Sequence, residues 1–374
     1  MKQVVYFTIF LFFIQSCSNK EISDYSLENV PLIIDIDSVK IVELKVNHVQ
    51  YIPLETTDDC LIGTASKVLI KNERIYVADF HMAMAIFIFD MTGKFLFKID
   101  KRGQGPGEYI YFDDFDIQSN GDIYIHDSWG KKFIIYSPEG KYIQDIRADY
   151  YFLGFCLFSN KIYLSTLYDR KMFANLAVYD MIDKKTELLL KDKKFLDESD
   201  ITNFNSYKFY YSPDSIVYYS PKFSEIIFSI DGDGTHPAIG IKNLRIPSKE
   251  QIEKWVQEGK KNPIGHQIWE SHYFIQNINV YETDKYITFT PVNYPHDFML
   301  LYNKQSKYSC FIYNQYIGTG KVRGSIGKYF FGVITFNPDG LDGSRQKKIL
   351  ASREELKNWQ EDDNPVIVIF EPDN

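Results

Sequence analysis

An internal repeat is the feature that most constrains the fold of this chain. Residues 75–79 (IYVAD) and 86–90 (IFIFD) lead to a Thr-Gly-Lys turn, and 48 residues later 123–127 (IYIHD) and 133–136 (FIIY) lead to Glu-Gly-Lys. A third copy begins at Lys161, weaker copies begin at Ile216 and Tyr286, and the last begins at Tyr329. Short alternating runs of Ile, Phe, Tyr and Val, separated by turn residues, predict a series of antiparallel hairpins.

Each of the first two copies predicts four strands, which we label a to d from the inner to the outer edge of the unit. The predicted strands of the first copy are 64–71, 74–79, 85–90 and 95–100. Those of the second copy are 111–118, 122–127, 132–137 and 141–147. Repeated four-stranded units are typical of a β-propeller, whose blades bury their faces against one another. A β-sandwich, the alternative all-β fold, would not repeat this pattern at matching offsets.

The two ends of the repetitive region predict how the ring closes. The apolar run 365–370 (PVIVIF) has no outer strand after it, and 49–54 (VQYIPL) has no inner strands before it. Pairing the two runs completes a sixth blade and removes an open sheet edge. We therefore predict a six-bladed β-propeller over residues 48–371, with its last blade closed by an N-terminal outer strand.

Composition excludes several classes of protein. The chain is 45% hydrophobic and 25% charged, which excludes disorder as its main state. Its net charge of -8 disfavours binding to nucleic acid or to an anionic membrane surface, because either needs a basic footprint. Four cysteines without close spacing exclude a disulfide scaffold and a multi-cysteine zinc site. We expect Cys60, Cys156 and Cys310 to be buried free thiols.

The N-terminus has the pattern of an export signal. Residues 1–16 contain Lys2 and the unbroken apolar run 4–14, which is too short to span a bilayer as a helix. Ser16 precedes Cys17 as in a bacterial lipobox, so we expect Cys17 to be lipidated; the alternative is an ordinary signal peptide. Residues 17–47 are then expected to be the lipidated cysteine and a tether, with the lipid as the only contact with the membrane.

Long insertions are predicted on one face of the ring. In an up-down blade the b–c turns and d–a connections share one face, which we call the recognition face, and the a–b and c–d turns share the opposite face. The predicted insertions 101–109, 247–272 and 336–364 all belong to the recognition face. Two of them contain capping boxes, at Ser248 and Ser352, which predict short amphipathic helices whose Trp255 and Trp359 anchor them by packing.

Residues of the recognition face that lie near the axis become candidates for ligand binding, because loops of several blades converge there. The candidates are Asp79, His81, Arg102, Gln104, Glu108, Tyr109, Asp127, Trp129, Tyr168, Arg170, Tyr294, His296 and Arg323.

The glycine-rich connection 103–107 (GQGPG) is the motif most easily mistaken for a nucleotide site. It lacks the Lys-Ser/Thr of a P-loop and no helix follows it, so a tight crossover is the favoured interpretation. A structural ion pair is favoured for Arg102 and Glu108, which flank it. The histidines show no HxH or HExxH spacing, and we predict neither a metal nor a cofactor.

Three segments together resemble the six-bladed β-propeller lipoproteins of Bacteroidetes, distant relatives of NHL-repeat propellers. They are 51–56 (YIPLET) with 61–63, 102–109 (RGQGPGEY) leading into Phe115-Asp116, and 364–369 (NPVIVI). The resemblance covers nearly the whole mature chain. It implies a lipid-anchored protein of the cell envelope, at the outer membrane and facing either the periplasm or the surface, in a family without a generally established activity.

Three hypotheses for the function remain open. The first is a monomeric, non-catalytic propeller that recognises a glycan, a peptide or an envelope protein through its recognition face. The second is a polysaccharide lyase or hydrolase, or a metal-assisted lyase, with His81 or His296 as base, Arg102 and Arg170 as carboxylate clamps, and Tyr109 or Tyr294 as acid. The third is a scaffold subunit of an envelope complex, which an exposed apolar patch would indicate.

Overall fold

The structure is a computed structural model of the chain. It describes residues 25–148, 152, 154–166, 174–191, 209–212, 216–231, 234–258, 270–292, 298–313, 322–335, 353–360 and 362–374.

The described residues form 26 strands and one α-helix. In chain order the strands are β1 (Leu32–Asp35), β2 (Lys40–Val42), β3 (Val46–Pro53), β4 (Lys67–Lys71), β5 (Arg74–Asp79), β6 (Ala85–Asp90), β7 (Phe95–Ile99), β8 (Phe112–Ile117), β9 (Ile123–Asp127), β10 (Lys132–Tyr136), β11 (Tyr142–Arg147), β12 (Phe155–Phe158), β13 (Lys161–Ser165), β14 (Ala174–Asp180), β15 (Lys185–Lys191), β16 (Phe209–Tyr211), β17 (Val217–Tyr219), β18 (Ile226–Asp231), β19 (Gly234–Lys242), β20 (Asn277–Glu282), β21 (Tyr286–Pro291), β22 (Phe298–Asn303), β23 (Tyr308–Tyr313), β24 (Val322–Ile326), β25 (Tyr329–Ile334) and β26 (Val366–Pro372). The helix is α1 (Lys249–Glu258).

These strands form the six blades of a β-propeller. Blades I, II and III are the sheets β4-β5-β6-β7, β8-β9-β10-β11 and β12-β13-β14-β15. Blades IV and V are built on β16-β17-β18-β19 and β20-β21-β22-β23, and blade VI is β24-β25-β26-β3. The strands predicted for the first two copies match blades I and II to within three residues at every end. The core lies between neighbouring blades, where the alternating Ile, Phe and Tyr side chains of facing sheets pack together.

The ring closes as predicted, by pairing of the two chain ends. Strand β26 pairs antiparallel with β3, with Val366 opposite Pro53 and Phe370 opposite Val49. The buried side chain of Asn364 completes this joint. Its Nδ2 donates to the carbonyl oxygens of Glu55 and Cys60 at 2.6 and 2.7 Å, and its Oδ1 accepts from the Ile62 N–H at 2.8 Å. One side chain thus holds three points of the connection from β3 to β4.

The segment predicted to be a tether is largely part of the propeller, which corrects the expected boundary at residue 48. Strand β1 pairs in parallel with β19, and β2 pairs in parallel with β23, so blades IV and V have five strands rather than four. The segment binds because its apolar side chains, including Val30, Ile34 and Ile36, are buried against these blades. The added strands also cover edges that would otherwise present unpaired backbone groups.

One of the two predicted helical insertions forms an α-helix. The Gln251 N–H donates to Ser248 Oγ at 3.1 Å at the start of α1, and Trp255 is buried against Tyr273. In the second insertion Ser352 lies outside the described residues, and residues 353–360 form a 3₁₀ turn, Glu354–Leu356, in place of the predicted helix, with no side-chain cap from Arg353. Its Trp359 nevertheless anchors the segment as expected, because its indole N–H donates to the Asn364 carbonyl at 2.8 Å.

The long connections join strand ends on the recognition face. They run from β7 to β8, from β19 to β20 and from β25 to β26. The a–b turns on the opposite face are short, as in the two residues between β4 and β5. Within the described residues, no helix has the length and apolar character needed to cross a membrane.

Candidate recognition face

A buried carboxylate organises the recognition face in blade I. Asp79 ends β5, and its side chain is fully buried. Its Oδ2 accepts hydrogen bonds from the N–H groups of Gly63 and Thr64 at 3.0 and 2.9 Å, and its Oδ1 accepts from those of His81 and Met82 at 3.0 and 2.8 Å. Asp79 therefore joins the connection that enters blade I to the b–c turn of the same blade.

Electrostatics agree with this role. Burial alone would raise the pKa of Asp79, but the hydrogen bonds from backbone N–H groups, chiefly those of Met82, His81 and Thr64, outweigh it and hold the pKa below its ordinary value. Asp79 is therefore an ionised structural group whose oxygens are already bonded.

A buried aspartate makes the same arrangement of hydrogen bonds in blade II. Asp127 ends β9 and is also fully buried. Its Oδ2 accepts from the Ile110 N–H at 2.9 Å, and its Oδ1 accepts from the N–H groups of Tyr111 and Gly130 at 3.2 and 2.8 Å. The two aspartates are thus repeat-equivalent, and they give two neighbouring blades the same rigid arrangement of crossover and b–c turn.

In blades I and II, the entering connection and the b–c turn that the aspartate joins both carry exposed apolar side chains. In blade I, Leu61 and Met82 are 55% and 69% exposed; in blade II, Ile110 and Trp129 are 40% and 71% exposed. Tyr111 stands beside Trp129, with ring centroids 5.9 Å apart. We call Leu61, Met82, Ile110 and Trp129 the apolar quartet. They lie on one face of adjoining blades, held by backbone that Asp79 and Asp127 fix.

The first crossover does not form the predicted ion pair. The Arg102 Nε lies 3.6 Å from Asp100 Oδ1, while Glu108 Oε2 accepts from the Gly105 N–H at 2.9 Å. Glu108 folds back over its own loop because Gly103 leaves room for it; a Cβ there would lie 2.0 Å from Glu108 Oε2. Arg102 and Gln104 are exposed. The interpretation of 103–107 as a tight crossover is consistent with Gly107, which has φ +72°.

Tyr109 is a structural residue in the crossover. Its side chain is fully buried, and its hydroxyl donates to the Met84 carbonyl at 2.6 Å and accepts from the Lys101 N–H at 3.1 Å. Burial raises the pKa of Tyr109. The hydroxyl therefore has neither the access nor the acidity that the general-acid role requires.

The remaining candidates are dispersed. His81 is exposed in the b–c turn of blade I. Arg323 lies in the inner strand β24 and lines the central channel rather than the rim. Four candidates, Tyr168, Arg170, Tyr294 and His296, lie outside the described residues, as does Cys17. Among the residues that the structure describes, no group of three His, Cys, Asp or Glu could hold a metal ion.

Sequence reasoning identified Trp129 but missed Leu61, Met82 and Ile110. The available signal was position, since the two apolar residues Met82 and Trp129 follow the repeated aspartates Asp79 and Asp127 at nearly the same offset. Apolar residues in turns are normally expected to pack against the core. Only the structure shows that these side chains remain in solvent.

Solved structures are similar to this chain in fold. The protein BF0058 of Bacteroides fragilis, described as exported, has a TM-score of 0.72 at 16% identity, and the match covers 91% of this chain and 100% of that chain. A member of the DUF4221 family from Bacteroides vulgatus has a TM-score of 0.47 at 12% identity, covering 88% and 98%. Virginiamycin B lyase from Staphylococcus aureus has a TM-score of 0.41 at 11% identity, covering 76% and 81%.

A comparison with curated proteins gave no match. A family model, in contrast, matches residues 29–371, which include the added strands β1 and β2 as well as all six blades. The chain belongs to the family described as Domain of unknown function (DUF4934).

Proposed function

We propose that this protein is a binding module of the cell envelope that recognises a peptide or protein partner through its recognition face. The observation that carries the proposal is the apolar quartet, in which each member is at least 40% exposed. Exposed apolar groups that share one face and are held by fixed backbone favour a protein partner, because covering them releases water at little cost in conformational entropy. A glycan stacked on Trp129 is the alternative ligand of the same surface.

The proposal includes export and lipid attachment at Cys17, which would hold the propeller at the envelope as a monomer. It rests on the lipobox-like sequence at residues 14–17 and on the fold likeness to BF0058, which is described as exported. Labelling cells with a radioactive fatty acid tests the anchor: incorporation should be lost in Cys17→Ala, and incorporation that persists in that variant would contradict it.

A binding experiment tests the function. Wild-type protein, the double variant Met82→Ala/Trp129→Ala and the control Ile182→Ala are immobilised and incubated with an envelope fraction. Each protein is also applied in solution to a glycan array. Ile182 is 70% exposed in the c–d turn between β14 and β15, so it matches the quartet in exposure but lies on the opposite face. We expect one component to be retained by wild type and by Ile182→Ala, and at least tenfold less by the double variant.

Protease treatment of the fraction separates the two kinds of ligand. Loss of the retained component indicates a protein partner, whereas binding to the array that depends on Trp129 indicates a glycan. Equal retention by all three proteins would contradict the assignment to the recognition face, and turnover of a bound polymer would contradict a non-catalytic role. The described residues offer no observation that favours the enzymatic alternative.

A further inference from the structure

The central channel contains a cavity of ≈ 560 Å³ whose lining includes residues from the inner strands of all six blades. That volume is in the range of pockets that enclose small organic ligands. The cavity extends to the a–b turns, including Ser119, Ser159 and Gly327, and it includes none of the apolar quartet. It is therefore a separate feature from the recognition face.

The lining is an apolar chamber with a few charged groups. Leu69, Leu157, Phe158, Phe209, Ile326 and Phe331 contribute apolar surface. Lys67, Lys71, Arg323 and Asp116 contribute charge. An apolar cavity with a few convergent polar groups is the usual form of a site for a small amphipathic molecule.

Two of these four charged groups already have partners within the protein, Lys67 in an ion pair and Asp116 in hydrogen bonds. The Lys67 ammonium lies 2.6 Å from Asp114 Oδ1 and also donates to the Phe115 carbonyl at 2.7 Å. Asp116 is fully buried, and its carboxylate accepts from the N–H groups of Ile117 and Leu157, both at 2.7 Å, and from the hydroxyl of Tyr211. The Asp116 oxygens are thus already occupied.

The other two charges, Lys71 and Arg323, have no carboxylate within ion-pair distance among the described residues. The Lys71 ammonium donates to the Ile117 carbonyl and lies 4.9 Å from the centre of the Tyr211 ring, contacts that orient the cation without cancelling its charge. Arg323 lies beside Tyr281, another residue of the lining. The guanidinium retains the paired N–H groups with which arginine binds a carboxylate or sulfonate.

We infer that the channel is a binding site for a small organic anion, a molecule with an apolar or aromatic body and one acidic head group. Arg323 and Lys71 bind the head group, and the apolar lining encloses the body. The charge balance of the lining fits this ligand class: once Lys67 is paired with Asp114, two cations, Lys71 and Arg323, remain against the single carboxylate of Asp116.

A matched pair of fluorescent probes tests the inference. 8-Anilinonaphthalene-1-sulfonate has an aromatic body and one sulfonate, and N-phenyl-1-naphthylamine is the same body without the charge. Both become fluorescent in apolar surroundings, so titration of folded wild-type protein gives two dissociation constants. We expect the anionic probe to bind at least tenfold more tightly than the neutral one. We expect Arg323→Gln and Lys71→Gln each to abolish most of that preference, while Arg323→Lys retains part of it.

Two control variants locate the site. Arg102→Gln removes an exposed cation from the recognition face, and Met82→Ala/Trp129→Ala removes half of the apolar quartet; both should bind the anionic probe as wild type does. The inference is overturned if wild type does not prefer the anion, if Arg323→Gln and Lys71→Gln leave the preference unchanged, or if the double variant loses binding instead. Thermal unfolding of every variant establishes that it is folded, and Arg323→Lys keeps the test open if Arg323→Gln does not fold.

Discussion

Asp79 and Asp127 show that a residue type suited to ligand binding has a structural role in this protein. Both were predicted as ligand-binding candidates because a carboxylate follows a buried strand near the axis of the ring. The structure places both side chains in the protein interior, bonded to backbone N–H groups from two different connections. A carboxylate is suited to this task because it accepts several hydrogen bonds at once, and a b–c turn and a crossover both present unpaired N–H groups.

The variant Asp79→Asn tests this role. In the variant an NH₂ group replaces Oδ2 and points a donor at the N–H groups of Gly63 and Thr64. We therefore expect the free energy of unfolding to fall by about 2 kcal/mol. Urea unfolding measures the loss. Asp183→Asn, an exposed turn position between β14 and β15, should change the free energy by less than about 0.5 kcal/mol.

The pH dependence of the same pair of proteins gives a second test. The pKa of Asp79 is lowered in the folded state, so its contribution to stability is present above the ordinary pKa of 3.8 and is lost as the pH falls through the lower folded value. The difference in unfolding free energy between wild type and Asp79→Asn should therefore shrink on acidification. A difference that stays constant from neutral pH to below the ordinary pKa would contradict an ionised Asp79.

At the scale of elements, strands were predicted more accurately than helices and edges. The bounds of β5, β6 and β10 follow from alternating apolar residues between turn signals, which are local features. At Glu354–Leu356 the structure has a 3₁₀ turn where a helix was predicted. The apolar pattern there is short, and a single turn is enough for Leu356 to pack and for Trp359 to donate to the Asn364 carbonyl. The added strands β1 and β2 were assigned to a tether because nothing in residues 32–42 identifies the sheet edge that they cover.

A pair of isoleucines in the added strands tests whether they stabilise the propeller. Ile34 in β1 is 3% exposed and Ile41 in β2 is 54% exposed. We expect Ile34→Ala to lower the free energy of unfolding by about 2 to 3 kcal/mol through a lost buried side chain. Ile41→Ala should change it by less than about 0.5 kcal/mol. Equal effects of the two substitutions, measured by chemical denaturation, would indicate that β1 does not pack on blade IV.

At the scale of the molecule, ring closure makes distant blades depend on one another. No blade buries both faces alone, so opening the joint between β3 and β26 uncovers the cores on either side of blade VI. The buried thiols report on this coupling because Cys60 follows the joint, Cys156 lies in blade III and Cys310 lies in blade V. Burial raises the pKa of Cys310 to about 11 and that of Cys156 well above its ordinary value, which suppresses the reactive thiolate.

Iodoacetamide labelling tests the joint. In the wild type we expect Cys60, Cys156 and Cys310 to become reactive together, at one denaturant concentration, because the closed ring unfolds cooperatively. Asn364→Ala removes the hydrogen bonds to Glu55, Cys60 and Ile62, so Cys60 should react at least about tenfold faster in native buffer while Cys156 stays protected. Peptide mass spectrometry measures each site. Asn120→Ala, in an exposed turn, is the control, and unchanged labelling of Cys60 would contradict the role of Asn364.

The sequence alone determined the number of blades, the strands of the first two blades and the closure of the ring, since each follows from short-range periodicity, from turn residues and from the need to pair the two unmatched ends. The tertiary structure decided which polar groups became internal supports, which apolar groups stayed in solvent, and which cations gathered in the channel. These outcomes depend on contacts between blades. Lys71 and Arg323 are far apart in the chain and share a cavity only because six inner strands are brought around one axis.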